Sequence, residues 1–60
     1  MYYILEKKPD GKWRRISVDL TLEVIKPLVK QHKKSSSQNK FKYQKVTKHS
    51  PKFGEFENEN

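Results

Sequence analysis

The 60-residue sequence predicts a small α+β domain of ββαβ order, with a three-stranded antiparallel sheet in spatial order 2-1-3 and one helix on one face. Three observations lead there. The stretch Lys8-Pro9-Asp10-Gly11 is a turn signature set between two strand-like runs. Residues 20–34 carry apolar side chains at helical spacing, and Phe41 and Tyr43 alternate with Lys42 and Gln44 as in a strand with one apolar edge.

The hairpin comes first, with strands over residues 2–8 and 12–18. Pro9 presets φ at the second turn position, Asp10 bonds its own backbone, and Gly11 takes positive φ where the turn closes. With Gly11 as a bulge residue, Lys7 pairs with Trp13, Glu6 with Arg14, Leu5 with Arg15, Ile4 with Ile16, Tyr3 with Ser17 and Tyr2 with Val18. Alternation then divides the ribbon into two faces. Tyr2, Ile4, Ile16 and Val18 form a core face, with Glu6 and Arg14 as an ion pair at its turn end. Tyr3, Leu5, Lys7, Trp13 and Arg15 form an aromatic and basic face, which a single helix leaves open.

The helix is expected over 20–34, with Leu22, Ile25, Val29 and His32 in one stripe, Leu28 beside it, and Thr21 or Asp19 as cap. Pro27 opposes it, because an interior proline removes a hydrogen bond and clashes with the preceding turn at ~3 kcal/mol. A rival pattern extends the second strand to about residue 24, since Ile16, Val18, Leu20, Leu22 and Val24 also alternate. The first strand is too short to pair with so long a partner, which favours a helix kinked near Pro27. Ser35 to Lys40 reads as a connector, and a third strand spans 40–47, with Val46 out of step near its end. Residues 1–48 form the domain; 49–60, broken by Pro51 and Gly54 and rich in Asn and Glu, are expected to be a flexible acidic tail.

Composition narrows the function classes. The formal charge is +7, and from Val24 to Gly54 nine lysines and both histidines stand without one acidic residue, while Glu55, Glu57 and Glu59 crowd the end. Such a field attracts polyanions: nucleic acid or an acidic protein surface. There is no cysteine, and the histidines are isolated, so neither disulfide nor zinc site is expected to reinforce a chain that buries only about 60% of its unfolded surface. Tyr2 to Leu5 is too short for a signal-peptide core or a membrane span, so no membrane association and a cytoplasmic setting are expected. Ser35 to Ser37 lack a base at a fixed offset, His32 and His49 lack an orienting carboxylate, and Gly11 and Gly54 make no phosphate loop. No enzyme and no cofactor are expected.

The leading expectation is a basic accessory protein that binds nucleic acid. Tyr3, Trp13, Arg14 and Arg15 make the specific contacts, and Lys7, Lys12, Lys30, Lys33, Lys34, Lys42 and Lys45 engage phosphates. Bases stack on flat rings while cations follow the backbone; alternatively, a ribbon carrying Lys12, Arg14 and Arg15 enters the major groove of a duplex. The competing class is a protein-binding module, an inhibitor or adaptor using the same face or an exposed strand edge, through which a second copy could also pair. Lys8 to Arg15, KPDGKWRR, resembles the hairpin of the arm-type DNA-binding domains of tyrosine recombinases. That resemblance implies a sheet that enters the major groove, although in that family the sheet is complete before the helix begins. The size, plan and lysine bias are also similar in style to small accessory proteins of bacteriophages.

Overall fold

The computed structural model describes residues 1–57; the last three positions of the expected tail, Glu59 among them, lie outside the described residues. Strand β1 spans Tyr2–Lys7, β2 Trp13–Arg15, helix α1 Leu22–Ser35 and β3 Lys40–Lys45. The sheet is antiparallel throughout, in the expected order β2-β1-β3, with α1 against one face. No helix among the described residues is long and apolar enough to cross a membrane.

The turn forms as its residues dictate. Gly11 N–H donates to the Lys8 carbonyl at 2.9 Å, Lys12 N–H donates to Asp10 Oδ1 at 2.9 Å, and Gly11 sits at φ +90°, a region that side-chain-bearing residues rarely adopt. Register follows from it: Lys7 faces Trp13, Glu6 faces Arg14 and Leu5 faces Arg15.

Beyond Arg15 the ladder departs from simple continuation. Ile16 N–H still reaches the Ile4 carbonyl at 3.1 Å, but Ile4 N–H donates to Ser17 Oγ at 2.8 Å, a side chain taking the place of a strand partner. Val18 and Asp19 loop out, and pairing resumes between Tyr2 and Leu20 through two bonds of 2.7 and 2.9 Å. Val18 is therefore 60% exposed, not in the core. Because the slip is two residues, parity is kept and Leu20 packs where Val18 was expected.

Ile4, Ile25, Val29 and Phe41 form the buried cluster, with Tyr2, Ile16, Leu20 and Leu28 packed around it. His32 completes the helical stripe by stacking on Phe41, ring centroids 5.2 Å apart. The expected cap is absent: Thr21 makes no side-chain bond to the helix start, and Asp19 turns to Arg15. Nor do Glu6 and Arg14 pair. Glu6 accepts from Asn39 Nδ2 at 3.1 Å and Arg14 Nε donates to the Gly54 carbonyl at 2.9 Å.

The segment expected as a free tail runs along the outer edge of β2. Gly54 N–H donates to the Arg15 carbonyl at 2.9 Å, Arg15 N–H to the Glu55 carbonyl at 2.9 Å, and Glu57 N–H to the Trp13 carbonyl at 2.8 Å, so that Arg14 stands opposite Phe56. The residues read as breakers make this course. Gly54 takes φ +83° in a turn closed by Glu55 N–H on the Lys52 carbonyl at 2.9 Å, and the Pro51 carbonyl accepts from Arg15 Nη1 at 2.8 Å.

Pro27 lies inside α1 and is exposed, so it weakens the helix without contributing to the core. Pro27→Ala should restore the bond to the Glu23 carbonyl and gain ~2 kcal/mol, the helix penalty of ~3 kcal/mol less the chain entropy that proline removes from the unfolded state. Urea denaturation should show a higher midpoint at unchanged slope; an unchanged or lower midpoint would contradict a purely local cost.

Candidate nucleic-acid interface

The face away from α1 is built from alternate residues of three strands. Across it stand Trp13, Lys7 and Lys40 in one row and Arg15, Leu5 and Lys42 in the next, with Tyr3 and Gln44 following on β1 and β3. Strand β3 thus gives this face Lys42 and Gln44, and gives the helix side Phe41 and Tyr43, the latter edge-on to Tyr2 at 6.1 Å.

The expected contact residues separate into two groups. Tyr3 and Arg15 are interior, at 3% and 8% exposure. The Arg15 guanidinium lies 4.7 Å from the Tyr3 ring and donates to the Ser17 carbonyl at 3.0 Å, the Pro51 carbonyl at 2.8 Å and the Asp19 carboxylate. Tyr3 Oη donates to Gln44 Oε1 at 3.0 Å. Arg14 is exposed, but its Nε is held by Gly54. Arg14 and Arg15 thus hold the sheet to the residues that follow it, while Tyr3 ties β1 to β3.

The second group centres on Trp13. Its half-buried ring has Lys42 Nζ 4.3 Å and Lys7 Nζ 5.8 Å from its centroid. Beside it lies a groove of about 380 Å³ lined by Trp13, Lys33, Ser37, Asn39, Lys40 and Phe41, so the end of α1 and the start of β3 add two cations and the connector between them two polar residues. Lys12 stands apart, its Nζ 6.0 Å from the Phe56 ring. Lys30 and Lys34 are exposed on α1 outside the groove lining, and Lys45 lines a second, polar cavity. Ser37, Asn39 and Lys40 were not among the contact residues expected from the sequence, and Glu57 was read there as part of the acidic tail. Glu57 Oε1 is 3.8 Å from Lys42 Nζ.

Magnitudes indicate what this cluster can do. A cation over an exposed ring gains about 0.5–1 kcal/mol, whereas a base stacked on an aromatic gains ~1–3 kcal/mol. A base can therefore displace the Lys42 ammonium from the ring, and the flexible lysine stem lets that charge follow to a phosphate.

Comparisons with protein-family models, characterised proteins and solved structures find no match to this chain. The likeness of Lys8 to Arg15 to recombinase arm domains is confined to the hairpin, because here the third strand follows the helix.

Arg15→Leu should cost about 2–4 kcal/mol, since it leaves the Ser17 and Pro51 carbonyls without their donor, while Lys12→Ala should stay within about 0.5 kcal/mol of the parent. Thermal denaturation of both variants checks this, and equal effects would contradict an interior role for Arg15.

Proposed function

We propose that this chain is a small non-enzymatic cytoplasmic protein that binds single-stranded nucleic acid across Trp13, with Lys7, Lys33, Lys40 and Lys42 engaging phosphates. The observation that carries this reading is the cluster itself: a half-buried indole with two ammonium groups 4.3 and 5.8 Å from its centroid, opening on a groove with two further lysines. Rings supply sequence-tolerant stacking and lysines supply attraction to the backbone. A duplex reading draws less support. It needs Arg14 and Arg15 as readers in the major groove, and one is engaged by Gly54 and the other is interior.

A protein-binding reading keeps one specific support. With 55–57 against β2, the sheet edge left without a neighbouring strand among the described residues is that of β3, where Lys40, Lys42 and Lys45 suit an acidic extended segment. Lysines on an edge also deter strand addition, and a second copy of β3 would bring lysine against lysine.

Binding of a labelled oligothymidylate should weaken as salt rises, with log K falling against log salt at a slope of about −3 for four phosphate contacts on a single strand. Trp13→Ala should weaken it about 5- to 150-fold while the fold persists, and Lys42→Ala should reduce the slope by about 0.7. Absence of binding at low salt, or salt-independent binding, would refute the proposal.

A further inference from the structure

A second concavity adjoins the Trp13 platform; it takes in Tyr3 and Lys45 of the expected contacts, and stacking on Trp13 assigns it no ligand. It measures about 410 Å³ and is lined by Tyr3, Gln44, Lys45, Thr47, His49, Ser50, Pro51 and Glu57, within the size range of sites for small organic ligands. Its polar groups are not randomly set. Gln44 Oε1 accepts from the hydroxyl of the buried Tyr3 at 3.0 Å, which orients the amide and leaves its NH₂ as a free donor. Glu57, which lines the cavity, is anchored through its main-chain N–H on the Trp13 carbonyl at 2.8 Å, so its backbone joins platform and cavity. The Lys42 ammonium is 3.8 Å from the Glu57 carboxylate, beyond hydrogen-bond distance, so it does not take up the carboxylate lone pairs.

From this arrangement we infer that the cavity is a guanine site, in which Glu57 accepts the base's Watson–Crick edge and Gln44 donates to it. The inference rests on the single-strand reading for its setting, and on base chemistry for its specificity. A carboxylate offers two adjacent acceptors. Guanine alone among the bases sets two donors side by side on that edge, N1–H and the N2 amino group. Adenine and cytosine each place a ring acceptor beside their amino donor, and thymine or uracil flanks a single N–H with two carbonyls, so each of these meets the carboxylate with a repulsive neighbour. Single-stranded bases are read on this same edge when they are unstacked. Successive residues on one face of a strand lie ~6.6 Å apart, so Gln44 and Lys42 engage one nucleotide and the next rather than the same one. In this picture one base stacks on Trp13 and its neighbour enters the cavity.

The test compares three labelled octanucleotides at low salt: all thymidine, and the same sequence with one central guanine or one central adenine. It is run on the full chain and on E57Q, with titrations of free GMP and AMP followed by amide chemical shifts. A bidentate base contact discriminates by about 5- to 150-fold, so the guanine oligonucleotide should bind at least several-fold more tightly than the other two, and E57Q should erase that difference. If all three bind equally, or if the guanine preference survives in E57Q, the guanine site is overturned while the Trp13 platform stands. If no oligonucleotide binds, the single-strand reading fails. In that case a response to GMP over AMP that disappears in E57Q upholds the cavity as a site for the free nucleotide, and an equal or absent response to both overturns it.

Discussion

The guanidinium of Arg15 is the point through which the two halves of this small fold are joined. A charge buried to 8% exposure is tolerable only if its donors are satisfied, and three partners meet that demand: the Ser17 carbonyl, the Asp19 carboxylate and the Pro51 carbonyl. Each partner fixes a piece of chain. Ser17 and Asp19 set the loop-out that carries pairing from Ile16 to Leu20, and Pro51 brings the last segment onto the outer edge of β2. Stacking on Tyr3 then closes the face that α1 does not cover. Without cysteine or a large core, a polar hub of this kind does what a staple does in other small domains.

That hub also decides which cations remain for a partner. Arg14 and Arg15 are engaged by the chain itself, whereas Lys7, Lys33, Lys40 and Lys42 surround Trp13 with flexible stems. The division suits their chemistry. A rigid guanidinium fork satisfies several fixed carbonyls at once, while an ammonium on a four-carbon stem follows a mobile phosphate chain. Among the described residues, Glu57 at 3.8 Å from Lys42 is the one carboxylate the last segment sets beside the Trp13 lysines, and it also lines the polar cavity.

Much of the architecture was legible in the sequence because local signals agreed with one another. The Pro9-Asp10-Gly11 turn fixed the register at Lys7–Trp13, and from that register alternation sorted Ile4 to one face and Trp13 to the other. The helical stripe of Ile25, Val29 and His32 outweighed Pro27, and β3 fell beside β1 as its length and connection required. What escaped was decided by groups that leave no pattern. Ser17 Oγ replaces a backbone partner and ejects Val18, and Asn39 claims Glu6 from Arg14. The course of 51–57 rests on main-chain bonds to β2 and on the Arg14 and Arg15 donors to the Gly54 and Pro51 carbonyls, none of which leaves a periodic pattern. Of the candidate site, Trp13 and Lys7 share a face as the hairpin register implied and Lys42 joins them from β3; Lys33 reaches the same groove from α1, which had been read only as the cover of the opposite face, while Tyr3 and Arg15 were drawn inward by a segment that composition had marked as free.

The most direct measurement is an amide and indole chemical-shift titration of the whole chain with a short oligothymidylate at low salt. Binding across Trp13 requires the largest shifts at the Trp13 indole N–H and at the amides of Lys7, Ser37, Asn39, Lys40 and Lys42, with little movement on the exposed side of α1 around Val24 and Pro27. Shifts spread over the outward helix face, or none at all, would contradict a binding surface centred on Trp13.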